Sequence, residues 1–203
     1  MQKMSGQISI CCLDLEGVLV PEIWISVAEK TRIKELRLTT RDVPDYHVLM
    51  RRRISVLREH RIKLAVIQKV ITGMKPLPGA SAFLNKLRSL RQVIVLSDTY
   101  YEFAMPLMKK LGWPSLFCNR LETDREGYLA RYHLRQENGK EKAVKALKRI
   151  GFRVQAAGDS YNDIEMLKAA DEGILFRPPV RIVSEFPQFS VTRTYKELLK
   201  ELV

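Results

Sequence analysis

Ile8-Ser9-Ile10-Cys11-Cys12-Leu13-Asp14-Leu15-Glu16-Gly17-Val18 sets an apolar run directly against two acids and a glycine. A short apolar run closed by a turn residue predicts a buried strand. Its acids then stand at the strand's carboxyl edge, where open α/β sheets hold their ligands. Two further runs end the same way. Val93 to Leu96 leads into Ser97-Asp98-Thr99, and Val154 to Ala157 leads into Gly158-Asp159-Ser160-Tyr161-Asn162-Asp163. Three strand ends carrying polar groups predict one shared site.

Outward from the first strand, residues 21–73 read as helical. Ile23, Val27 and Ala28, then Val48, Leu49, Ile54, Val56 and Leu57, then Leu64, Ile67, Val70 and Ile71 recur at spacings of three and four. Thr39-Thr40-Arg41-Asp42-Val43-Pro44 breaks this stretch, and the segment from Gly73 to Gly79, with Pro76 and Pro78, returns the chain to the sheet. Beyond it helix and strand alternate: helix over 80–90, strand over 92–96, helix over 100–111, a hairpin within 116–134 around Asp124 to Gly127, helix over 140–149, strand over 153–157, helix over 163–170, strand over 173–176 and helix over 194–202. This punctuation predicts an α/β protein with a doubly wound, mainly parallel, Rossmann-like sheet. A helical cap over 21–73 is inserted after the first strand, and 1–20 with 74–203 form the core.

The 203 residues, 46% apolar, suffice for one substantial core. No stretch approaches the ~20 apolar residues that span a bilayer, and no signal-peptide pattern opens the chain, so a cytoplasmic protein without membrane partners is expected. Cys11 and Cys12 point to opposite faces of a buried strand and, with Cys118, read as reduced core residues. With no CxxC and only three histidines, they offer little to a zinc-type site. Of the formal charge of +12, +7 lies between Lys30 and Lys63, with eleven Lys/Arg against four acids. That segment reads as a solvated basic face, a nucleic-acid surface or a funnel for a small polyanion. It lacks the aromatic interleaving of a strand-binding groove, so no nucleic-acid partner is expected.

Crowded carboxylates repel unless a cation or a shared proton relieves them. Mg²⁺ takes hard oxygen ligands, usually one or two carboxylates plus a substrate phosphate. Asp14 and Asp159, with the Glu16 backbone carbonyl, would supply them. Each feature alone has a plainer reading: a solvated strand end for Asp14 and Glu16, a helix cap for Ser97-Asp98 and for the segment at Gly158, a surface lysine for Lys140.

Four signatures in order change that balance: Asp14-Leu15-Glu16-Gly17-Val18, Ser97-Asp98-Thr99, Lys140 and Gly158-Asp159-Ser160-Tyr161-Asn162-Asp163. With them the chain resembles the haloacid dehalogenase superfamily of phosphotransferases over essentially its whole length. The resemblance implies that Asp14 is a nucleophile forming an aspartyl-phosphate and Glu16 its acid/base partner. It places Ser97, Asp98 and Lys140 on the phosphoryl group and Asp14, Glu16, Asp159 and Asp163 at a Mg²⁺ site. Lys142 competes with Lys140 for the lysine's role. The helical insert resembles the cap of the phosphoserine phosphatase branch, where Glu22 looks like the ammonium-binding acid and Arg53, within Arg51-Arg52-Arg53, like the carboxylate-binding Arg. Tyr46 and Asn162 complete the substrate set, Tyr46 also fitting a packing role, as does Trp24. Glu16 stands where that branch normally has Asp. This feature, with Pro21-Glu22-Ile23-Trp24-Ile25, Ser97-Asp98-Thr99-Tyr100-Tyr101-Glu102-Phe103 and Glu185-Phe186-Pro187-Gln188-Phe189, resembles the bifunctional phosphoserine phosphatase/homoserine phosphotransferase proteins. The substrates so implied are phosphoserine and homoserine. A phosphatase for another small ester and a basic nucleic-acid-binding module are the alternatives.

Overall fold

The computed structural model describes residues 8–39, 42–43 and 45–203. The opening apolar run becomes β1 (Ser9–Leu13), the central strand, parallel to β2 (Gln92–Tyr100) on one side and β5 (Arg153–Gly158) on the other. Leu13 registers with both Val95 and Ala157, which brings the three polar strand ends level with one another. β3 (Ser115–Thr123), β6 (Glu172–Phe176) and β7 (Ser190–Thr192) extend the parallel sheet, and β4 (Leu129–His133) adds an antiparallel edge. Among the described residues the order is β4-β3-β2-β1-β5-β6-β7.

A parallel sheet buried on both faces needs consecutive apolar residues. Cys11 and Cys12 accordingly face two different apolar clusters. One gathers α1 (Ile23–Thr31), α2 (Tyr46–Glu59), α3 (Leu64–Gly73), α4 (Ala80–Arg88), α5 (Tyr101–Lys110) and α9 (Tyr195–Leu202). The other gathers α6 (Gly139–Arg149), α7 (Ile164–Ala169) and α8 (Val180–Glu185). Burial pushes the Cys11 and Cys12 thiols up to about 12, as suits inert core residues. All three cysteines are free.

The helical insert consists of α1, a 3-10 turn at Lys34–Arg37, α2 and α3. Asp45 starts α2 by accepting the Val48 N–H at 2.9 Å. The chain re-enters the core beside its exit, where the Leu77 N–H bonds the Leu19 carbonyl at 2.9 Å. Of the break expected at 39–44, residues 40, 41 and 44 lie outside the described residues, as do 1–7 of the expected core segment. The predicted hairpin forms and lies against the insert: Leu64 N–H donates to the Gly127 carbonyl at 3.0 Å, and Arg58 pairs with Asp124 at 2.5 Å.

Two elements were not predicted. α8 follows Pro178-Pro179, and β7 is three residues long, too short for periodicity to register. β2 also runs past the expected end at 96 to Tyr100, because Asn119 on β3 donates to the Asp98 carbonyl at 2.9 Å and holds the segment extended. Ser97 and Asp98 therefore cap no helix. No helix among the described residues is long and apolar enough to cross a membrane.

Candidate active site

The level strand ends place Asp14, Asp159 and Asp163 so that one oxygen from each lies within 4.8 Å of the others. Close approach depends on glycine. A Cβ on Gly17, whose φ is +81°, would stand 2.4 Å from the Asp159 carboxyl, and one on Gly158 would stand 2.4 Å from Asp163. Asp163 is fully buried and fixed at both oxygens. Oδ1 accepts from Lys140 at 2.8 Å, while Oδ2 accepts the Asp159 and Ser160 N–H groups at 3.0 and 3.1 Å. It is thus also the third residue of a capping box with Ser160.

Lys140, at the start of α6, reaches under the sheet edge to Asp14 Oδ1 at 2.7 Å, Asp163 Oδ1 at 2.8 Å and Asp98 Oδ2 at 3.6 Å. Burial alone would pull its ammonium down, but Asp14, Asp163 and Asp98 hold it well above the ordinary lysine range. Lys142 is exposed, so the ambiguity between the two lysines falls to Lys140 as the one at the site. Burial and the neighbouring Asp163 push Asp14 well above the usual carboxylate range against the pull of Lys140. The same two causes raise Asp159 to about 7. One ammonium does not neutralise three crowded carboxylates, and an all-oxygen donor set of this kind suits a hard divalent cation. Asp14, Asp159 and Asp163 are the residues that fit it.

Glu16 points elsewhere. Its Oε2 accepts the Ile23 N–H at 2.7 Å, so the carboxylate sits at the N-terminus of α1 instead of joining the acidic cluster. The expected metal contact of Glu16 was through its backbone carbonyl, and the side chain serves an orphan helix donor instead of the acidic cluster. Burial, then the nearby Glu22, raise it to about 7.

Above this floor lies a pocket of about 300 Å³ lined by Asp14, Glu16, Ser97, Asp98, Lys140 and residues of the insert including Glu22, Tyr46 and Arg53. Asn162 also lines it, so every expected phosphate and substrate residue borders one cavity. Arg53 is buried, whereas Arg51 and Arg52 are exposed. Its guanidinium lies 4.4 Å from the Trp24 ring centroid and donates to the Leu38 carbonyl at 2.7 Å, while its Nε has no partner among the described residues. The sequence carried the signal: Arg53 shares a helical stripe with buried Leu49, Met50, Val56 and Leu57, and its neighbours do not. Tyr46 combines both expected roles. It lines the pocket, and its hydroxyl lies 2.5 Å from that of buried Tyr100. Asp98 lies in the pocket, with its carboxylate 3.6 Å from Lys140.

A family profile for haloacid dehalogenase-like hydrolases matches residues 8–171. The chain belongs to the haloacid dehalogenase-like hydrolases. Within this family it is 55% identical to a phosphoserine phosphatase of Pseudomonas syringae pv. tomato over 196 residues, covering 97% of this chain and 83% of that protein. It is 54% identical to the phosphoserine phosphatase ThrH of Pseudomonas aeruginosa over 194 residues, covering 96% and 95%. A solved phospho-aspartyl intermediate analogue of phosphoserine phosphatase superposes with a TM-score of 0.77 at 23% identity, covering 96% of this chain and 99% of that one. That likeness concerns the fold.

Two residues of this haloacid dehalogenase-like hydrolase's site escaped sequence reasoning. Tyr100 reads as the first residue of a helix, but the extension of β2 turns it inward to Tyr46. Asn119 carries the supporting role: besides the Asp98 carbonyl, it accepts the Arg135 N–H at 3.0 Å, tying β2 to the segment before α6. The sign available in the sequence was an Asn, a residue type depleted in strands, inside a β-like run, and the structure buries it.

Proposed function

We propose that this chain hydrolyses O-phospho-L-serine to L-serine and phosphate with Mg²⁺, and that it can pass the phosphoryl group to L-homoserine. In this reading residues 21–73 are the cap over a core of 1–20 and 74–203. The carrying observation is that a buried Asp14–Lys140 pair, at 2.7 Å, forms the floor of a cavity whose wall holds the buried Arg53. The phosphoserine phosphatases at 55% and 54% identity support the substrate, and the relative named ThrH supports the second acceptor.

Asp14 attacks phosphorus, forming an aspartyl-phosphate as the serine oxygen departs with a proton from Glu16. Glu16 then takes a proton from water or from the acceptor hydroxyl, which attacks the phosphoryl group and frees Asp14. Raised to about 7, Glu16 can serve as acid and then as base near neutrality. Lys140 and the Ser97 hydroxyl balance charge on the phosphoryl oxygens. Bound by Asp14, Asp159 and Asp163, Mg²⁺ would add charge stabilisation on those oxygens. Arg53 offers the substrate carboxylate a fork, and Glu22 offers its ammonium an acid.

The test is a panel of phosphomonoesters assayed with Mg²⁺, with homoserine added to the phosphoserine arm. Phosphoserine should be preferred, and homoserine should yield phosphohomoserine while lowering the phosphate released per serine, since an aligned acceptor competes with bulk water. A uniform response to all esters would leave only an unspecific phosphatase. Serine and phosphate that stay equal at every homoserine concentration would remove the transfer.

A further inference from the structure

We infer that the Asp98 carboxylate selects for ligands that carry an ammonium group, disfavouring phosphate esters that lack one. The inference rests on the phosphoserine reading and adds a specificity determinant to it.

Asp98 sits at the end of β2, with its backbone fixed by the bond from Asn119 at 2.9 Å. Its side chain is 46% exposed and stands 3.6 Å from Lys140, whereas Asp14 and Asp163 hold that ammonium at 2.7 and 2.8 Å. Lys140 is therefore already satisfied by closer partners, and the Asp98 charge faces the cavity. A carboxylate beside the group that receives a phosphate dianion works against every phosphate ester. That cost is offset only for a ligand that brings a cation to the same place.

The cavity's other charges indicate where such a cation belongs. Arg53 is 93% buried by its 7% exposure, and its Nε lacks a partner among the described residues, which marks that wall for an acceptor such as a carboxylate. Of the lining acids away from the Asp14 floor, Glu16 is tied to the Ile23 N–H at 2.7 Å. Glu22 and Asp98 are left to face an ammonium. An amino-acid ester then meets Lys140 with its phosphate, Arg53 with its carboxylate and the two acids with its amine. An ester without the amine keeps the Lys140 contact but has nothing to offset the repulsion from Asp98.

The experiment measures kcat/KM with Mg²⁺ for wild type, Asp98→Asn and Asp98→Glu on four esters. Phosphoserine carries ammonium and carboxylate, phosphoethanolamine the ammonium alone, 2-carboxyethyl phosphate the carboxylate alone, and p-nitrophenyl phosphate neither. In Asp98→Asn the two ammonium-bearing esters should lose at least about tenfold relative to the two lacking it, whether or not a carboxylate is present. Asp98→Glu, which keeps the charge, should retain the preference. Equal changes on all four esters would assign Asp98 to the phosphate or to Lys140 and overturn the inference. So would a loss of preference in Asp98→Glu equal to that in Asp98→Asn. Wild-type enzyme with no preference for phosphoserine over p-nitrophenyl phosphate would instead sink the phosphoserine reading, and this inference with it.

Discussion

At the scale of single residues, Asp14 holds a carboxylate that burial and Asp163 disfavour and Lys140 sustains. Asp14→Asn keeps the shape and removes the proposed nucleophile, so phosphate release should fall by at least about 10³-fold. Circular dichroism and the unfolding midpoint should show an intact fold, since the change also relieves charge crowding. Activity within tenfold of wild type would remove Asp14 from the chemistry. Asp14, Asp159, Asp163 and Lys140 were legible because each sits at a strand end or helix start where order along the chain becomes proximity in space. The orientation of Glu16 was not legible, because it depends on where α1 begins, a placement made by packing. The same holds for the position of the Asp98 carboxylate 3.6 Å from Lys140.

At the scale of elements, the site depends on turns that tolerate no side chain. Gly17→Ala would set a methyl against the Asp159 carboxyl at a left-handed backbone position. Asp159 should be displaced, so the Mg²⁺ concentration for half-maximal turnover should rise at least about tenfold, with thermal stability lowered far less than for a core truncation. An unchanged Mg²⁺ requirement would place Asp159 away from the metal. On α2, Leu57 is 1% exposed and shares the stripe that turns Arg53 inward. Leu57→Ala should cost about 2–5 kcal/mol in unfolding free energy, checked by urea titration. The existence of most elements was legible from period and turn residues. Their docking was not: the hairpin's hold on Leu64 and Arg58 joins residues more than sixty positions apart, and nothing local encodes it. α8 and β7 were missed for being short.

At the scale of the whole molecule, the chain carries a formal charge of +12 and its proposed substrate is an anionic phosphate ester. Such a field should speed the encounter with an anionic substrate and be screened as salt shortens the Debye length from about 10 Å at 0.1 M. For phosphoserine, kcat/KM should therefore fall between low and moderate ionic strength while kcat changes little. A salt-independent kcat/KM would mean that the basic residues of the insert are too far from the entrance to matter. Steep salt-dependent retention of DNA would favour the competing nucleic-acid reading.

One apolar cluster contains Ile23, Trp24, Met50 and Leu57 of the insert together with Leu13, Tyr100 and Phe103 beneath them. Any widening of the cavity by movement of the insert must bring hydrocarbon into contact with water, so ligand exchange has the thermodynamics of a small solvation event. Such an event is opposed by entropy near room temperature and becomes easier on cooling, as the hydrophobic effect weakens. The gate and the chemistry would then respond to temperature in opposite senses: cold would loosen the entrance while slowing the bond-breaking behind it.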